Sequence, residues 1–224
     1  MDAMPQRAIF PNSNLVLNPE PRLPCVFVGD VSGSMAGNAI NQFNRGLQAF
    51  HRDLSSDPVA LKRVEVALVT FGPVKVALDF STADNARFPH LDTEDDTPLG
   101  EAVERALAMI EARKRAYTAA GLSYYRPWCL VCTDGFPTDD WKRAAKAVAA
   151  AEHAKKVAFF AIGVEGADMA LLNQISVRPA MKLDGLDFTG LFLWLSASLR
   201  SRSKSAINSS TTTPPMPRTL TVSQ

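Results

Sequence analysis

The stretch Val26-Phe27-Val28-Gly29-Asp30-Val31-Ser32-Gly33-Ser34-Met35 decides how the chain is read. Residues 25–28 form a short apolar run after Pro24, the pattern of an interior strand. The run stops at a carboxylate, two hydroxyls and a glycine. Asp30, Ser32 and Ser34 stand two apart, so a tight turn can bring all three side chains to one point. These are hard oxygen donors, which suit Mg²⁺ or Mn²⁺ rather than zinc. Gly33 removes the side chain where the backbone must bend. The same residues also suit a plainer role, an Asx or Ser turn that caps the neighbouring helix.

Outward from this stretch, strands and helices alternate. Strand 24–29 is followed by a helix over 39–54. Asn38 is its N-cap, and Ile40, Phe43, Leu47 and Phe50 recur at helical spacing. Residues 64–71 and 74–80 are β-rich and separated by Gly72-Pro73, which predicts a hairpin and one antiparallel edge strand. A loop over 81–96 ends in the acidic run Asp92-Thr93-Glu94-Asp95-Asp96. Thr97 then reads as an N-cap and Pro98 as the first residue of a helix to about 119. Residues 128–133 are almost wholly apolar and predict a central strand. Further helices are expected at 138–155, 167–175 and 188–199, and strands at 157–163 and 180–183. The expected fold is therefore α/β: a doubly wound, mostly parallel six-stranded sheet with one antiparallel edge strand and helices on both faces. In such sheets ligands bind at the carboxyl ends of the strands. Asp30 and Asp134 each follow a strand, so they and Thr97 can share one rim.

A chain of 224 residues fits one domain. We expect an extended lead-in over 1–22, a domain over 23–200, and a disordered Ser/Thr/Pro-rich tail over 201–224, open to phosphorylation or capture by a partner. The formal net charge is +1, which gives no argument for nucleic acid or an anionic membrane as partner. Three cysteines argue against a disulfide framework and fit a reducing cytoplasm. Residues 1–24 hold no apolar run of signal-peptide length, and no segment is long enough to span a membrane. The pair Cys129 and Cys132 lies in a strand, where residues three apart point to opposite faces, so the two thiols should not meet. No Gly-x-Ser-x-Gly elbow and no phosphate-binding Gly-Lys-Ser/Thr loop occurs. Met35 and Phe136 either form an apolar contact rim or tuck into the core.

The Asp-x-Ser-x-Ser spacing resembles the metal-ion-dependent adhesion site of von Willebrand factor A domains. That family completes the site with a later threonine and aspartate, and Thr97 in Asp96-Thr97-Pro98-Leu99-Gly100 and Asp134 in Cys132-Thr133-Asp134-Gly135 correspond. The resemblance implies a site of Asp30, Ser32, Ser34, Thr97 and Asp134 holding Mg²⁺ (or Mn²⁺), with a protein partner offering a carboxylate. The run Thr133-Asp134-Gly135-Phe136-Pro137-Thr138-Asp139-Asp140-Trp141 is similar to the bacterial TerY-like branch of tellurium-resistance proteins. That branch implies a non-enzymatic module in a bacterial stress response, accompanied by a kinase and a PP2C-type phosphatase. Asp95 and Asp96 stand where it usually has two glycines, adding negative charge beside the ion. The alternatives are a metal-dependent phosphohydrolase, in which Ser32 would replace an acid/base aspartate, and a scaffold whose metal is purely structural.

Overall fold

The computed structural model describes residues 15, 17–207, 209 and 213–223. Its strands are β1 (Leu23–Asp30), β2 (Val64–Phe71), β3 (Lys75–Thr82), β4 (Trp128–Thr133), β5 (Ala158–Gly163), β6 (Met181–Leu183) and β7 (Leu220–Val222). Its helices are α1 (Asn38–Ser55), α2 (Pro58–Arg63), α3 (Leu99–Ala119), α4 (Trp141–His153), α5 (Met169–Ile175) and α6 (Phe188–Lys204), with a 3-10 turn at Gly33–Met35.

The strands make one sheet in the order β3-β2-β1-β4-β5-β6-β7. β1 runs parallel to β2 on one side and to β4 on the other, and β4, β5 and β6 continue in parallel. β3 and β7 are antiparallel edges. Every residue of β1, β2 and β4 is buried, as expected of apolar strands covered on both faces.

Alternation along β1 sends Leu23, Cys25 and Phe27 to one core and Val26 and Val28 to the other. The first core is closed by Phe43, Leu47 and Phe50 of α1 with Phe188, Leu191 and Phe192 of α6. The second is closed by Leu99, Val103 and Ile110 of α3, Val148 of α4 and Leu172 of α5. Cys129 and Cys132 fall in different cores, and all three cysteines are buried and free.

The chain leaves β1 toward β2 on one flank and later crosses to β4 on the other. The order therefore reverses between β1 and β4, and a crevice opens beyond their carboxyl ends.

Several details differ from the sequence expectation. The sheet has seven strands and two antiparallel edges, because Leu220–Val222 pairs with Met181–Leu183. Residues 201–224 are thus not all an unfolded tail: α6 runs on to Lys204, and buried Leu220 joins the first core. Of the expected lead-in, residues 1–14 and 16 lie outside the described residues, while Leu15 and Arg22 are buried. Arg22 is inside because its guanidinium pairs with buried Glu65 at 3.2 Å. Helix α2 was not expected, although Asp57-Pro58 carries its signal: Asp57 accepts from Val59 N and Ala60 N, and Pro58 takes the first helical turn. Gly37 rather than Asn38 is the N-cap of α1 and Pro98 rather than Thr97 that of α3, and α4 starts at Trp141, capped by Asp140, rather than at Thr138.

Candidate metal centre

At the end of β1 the Asp30 carboxylate is fully buried. Its Oδ1 accepts from Ser32 N at 2.8 Å, and its Oδ2 accepts from the Thr133 hydroxyl on adjacent β4. The parallel pairing of Gly29 with Cys132 sets these two strand ends side by side. Ser32 is buried and Ser34 exposed, with their hydroxyl oxygens 3.0 Å apart. Ser34 in turn donates to Asp134 Oδ1 at 2.6 Å across 100 residues of sequence. The three positions of the first motif and Asp134 therefore form one connected cluster.

Thr97 reaches the cluster through a missing side chain. A Cβ at Gly135 would lie 3.7 Å from Ser34 Oγ, 3.7 Å from Thr97 Cγ2 and 3.9 Å from Thr97 Oγ1. Gly135 is thus flanked by Ser34 and Thr97. Thr97 is held there by bonds to the Asp134–Thr138 loop: Thr138 N donates to Thr97 O at 3.0 Å, and Thr97 N donates to Thr138 Oγ1 at 3.2 Å.

Burial raises the pKa of Asp30, partly countered by its bonds to Ser32 and Thr133, and the Asp134 charge raises it further. Burial likewise raises Asp134, countered by Ser34. Among the described residues no basic side chain acts on either carboxylate, so a buried Asp30 and a half-buried Asp134 share one end of the sheet with no cation of the described chain between them. A divalent cation fits this electrostatic deficit. Among the described residues no three His, Cys, Asp or Glu side chains cluster as a metal-binding group, so hydroxyls must supply the rest of a donor set here. A set of two carboxylates and three hydroxyls matches Mg²⁺ or Mn²⁺ and is a poor match to zinc.

The acidic loop before Thr97 behaves unequally. Asp96 adopts φ 82°, the left-handed conformation that favours glycine and that aspartate tolerates. Its carboxylate accepts from Thr97 N at 2.8 Å and from the Thr138 hydroxyl, and the Thr138 bond, followed by that of Thr97, lowers its pKa. Asp96 thus keeps glycine's backbone shape and spends its charge on the loop. Asp95 is exposed, with Oδ1 3.8 Å from where a Gly33 Cβ would stand. Met35 is buried and Phe136 is 62% exposed, so only Phe136 stands at the rim.

Sequence reasoning missed Asp139. Its carboxylate accepts from Gly100 N at 3.0 Å and Glu101 N at 2.7 Å, capping α3 from the loop after β4. This ties the Thr97 segment to the Asp134 segment. The signal was present only as Gly100, where a Cβ would meet Trp141 Cα at 2.9 Å and Asp140 O at 3.0 Å.

This fold, with its clustered oxygen donors at the switch point, defines a class of open-sheet domains that bind at the strand ends. Residues 25–187 match the von Willebrand factor type A domain, and the chain belongs to that family. No curated protein matches the sequence. Among solved structures, SpaC, a pilus adhesin from Lactobacillus rhamnosus GG, superposes with TM-score 0.67 at 15% identity, covering 83% of this chain and 31% of that one. Proximal thread matrix protein 1 from the mussel byssus gives 0.56 at 15% identity, covering 81% and 49%. At such identities the likeness is one of fold. The chain spans about half of the mussel protein and about a third of the adhesin. The comparisons single out no branch of the family. Among the described residues no helix is long and apolar enough to cross a membrane.

Proposed function

We propose that this von Willebrand factor A domain is a non-enzymatic, metal-dependent protein-interaction module. Asp30, Ser32, Ser34, Thr97 and Asp134 would hold Mg²⁺ or Mn²⁺. When bound, the ion supplies a fixed positive centre to which a partner's carboxylate can bond. The observation that carries this reading is the Ser32–Ser34–Asp134 hydroxyl–carboxylate chain beside buried Asp30. Five side-chain donors fall short of the roughly octahedral set these ions prefer, which leaves a place for a partner oxygen. Exposed Phe136 next to Asp134 offers an apolar contact beside that place, as interface cores favour. Ser32, where a phosphohydrolase would need an acid/base carboxyl, is joined instead to Ser34.

The TerY-like branch, with a kinase and PP2C-type phosphatase as companions in a bacterial stress response, is the finer part of this proposal. It rests on the run from Thr133 to Trp141. Three free, buried cysteines support a cytoplasmic setting.

Isothermal titration of Mg²⁺ and Mn²⁺ into metal-free protein tests the site. Saturable binding that weakens at least tenfold in Ser34→Ala, with the fold retained by circular dichroism, is the expected result. Wild-type protein that takes up neither ion would remove the reading.

A further inference from the structure

At the opposite end of the sheet, below the amino ends of β4 and β5, lies a cavity of about 610 Å³. Its walls bring together Lys114, Arg126, Lys155, Lys156 and Arg202 with Ser209, and among the described residues none of its lining is acidic. The cations come from four separate places: the C-terminal half of α3, the approach to β4, the turn after α4, and the end of α6. Their convergence is a product of the fold.

Two of the five are committed to carboxylates. Lys114 pairs with Glu111 at 2.6 Å, and Arg126 pairs with Glu152 at 2.5 Å. Arg202 lies over the Tyr125 ring and donates to backbone carbonyls, including Ser209 O at 3.0 Å. Lys155 and Lys156 are exposed and form no ion pair among the described residues. Lys155 holds φ 54° where the chain leaves α4, a left-handed position usually given to glycine or asparagine. Lys155 and Lys156 therefore bring positive charge to the cavity that no carboxylate of the described residues pairs.

Ser209 opens the run Ser209-Ser210-Thr211-Thr212-Thr213. It is exposed, and its Oγ donates to Ala206 O at 2.8 Å. The chain is pinned on both sides of this run, by α6 before it and by Trp194 Nε1 donating to Pro214 O at 2.9 Å after it. A group attached to Ser209 is thus presented to the cavity at high effective concentration.

We propose that Ser209 is a phosphorylation site and that this cavity is the receptor for its phosphate, with Lys155 and Lys156 as the principal cations. Transfer from a nucleoside triphosphate, catalysed by a separate Ser/Thr kinase, forms the Oγ–P bond and breaks the bond from the γ-phosphorus to its bridging oxygen. The nucleoside diphosphate leaves, and the hydroxyl proton goes to solvent. The product carries a charge of about −1.5 to −2 and three acceptor oxygens, which uncommitted ammonium groups can bond. It would fasten the chain at Ser209 to the cavity wall.

The test compares unmodified protein with protein carrying genetically encoded phosphoserine at 209, each in the wild-type and Lys155→Gln/Lys156→Gln backgrounds. The expected result is a rise in Tm of roughly 2–4 °C at low salt. The rise should shrink at 0.5 M salt and vanish in the double variant. An unchanged or lower Tm, or an equal rise in the double variant, overturns the proposal. Inorganic phosphate titrated into unmodified protein, followed by the amide resonances of Lys155 and Lys156, separates the two sources of the anion. Saturation at micromolar phosphate would make the cavity a site for a diffusible anion and overturn the tethered reading. Saturation only above millimolar phosphate supports it.

Discussion

Gly100→Ala sets two effects of opposite sign against each other. Gly100 is the second residue of α3, and alanine inside a helix is favoured over glycine by about 1 kcal/mol. Propensity alone therefore predicts a stabilised protein. The structure predicts the reverse. The new Cβ would stand 2.9 Å from Trp141 Cα, 3.0 Å from Asp140 O and 3.0 Å from Asp139 Oδ2. Two of these neighbours are backbone and cannot rotate away. Overpacking of this kind costs roughly 1–3 kcal/mol. Moving the 139–141 segment also breaks the Asp139 bonds to Gly100 N and Glu101 N, a capping contribution of about 1 kcal/mol, with a few tenths more from charge at the helix N-terminus. The net expectation is a loss of about 1–3 kcal/mol, or roughly 2–10 °C in Tm for a chain of this size. Urea denaturation of wild type, Gly100→Ala, Asp139→Ala and the double variant measures it. Asp139→Ala should cost about 1–2 kcal/mol in the wild-type background and much less in the Gly100→Ala background, since the cap is already broken there. A Gly100→Ala protein more stable than wild type, or fully additive variants, would refute the close-approach argument.

Removing Glu65 should be severe. It is buried between Arg22 at 3.2 Å, Arg113 at 2.6 Å and the Tyr117 hydroxyl at 2.6 Å, so Glu65→Ala strands two guanidinium groups and should cost about 3–5 kcal/mol in denaturant titration. Asp57 gives a pH signature. Burial opposes its charge, but the bonds from Lys204, Ala60 and Val59 together lower its pKa. A lowered aspartate stabilises above its unfolded value near 3.9 and loses that contribution as pH falls through the folded value. Asp57→Asn should therefore flatten the loss of stability below about pH 4 and leave the shape of the neutral region unchanged; an identical acid limb would contradict this. Burial pushes Cys25 well up, and Cys129 and Cys132 up to about 12, the latter also through Asp30. A thiol reagent at pH 8 should label none of them in the native protein and all three in denaturant.

The sheet's central strands were legible because they are short apolar runs. Residues 64–71 and 128–133 were read with the bounds they have, since a strand buried on both faces is a mainly apolar run that stands out from its flanking loops. β7 was not legible. Its only buried residue is Leu220, in a Ser/Thr/Pro-rich setting, and it is a strand only because β6 offers an open edge. The ends of α1, α3 and α4 were misplaced by one to three residues, as caps are decided by the neighbouring loops. At α3 the decisive group, Asp139, lies 39 residues away from Gly100, and Gly100 marks a close approach without naming the residue that makes it.

By itself, the sequence determined that the chain alternates strands and helices and that carboxylate and hydroxyl oxygens follow the strand ends. Hydrophobic period and residue chemistry are local properties, readable one segment at a time. Only the tertiary structure decided that Ser34 meets Asp134, that Gly135 admits Thr97, and that cations from four distant segments line one cavity with Ser209. These contacts depend on which strands become neighbours and where their ends fall in register, and that is settled by packing the whole sheet between its helices.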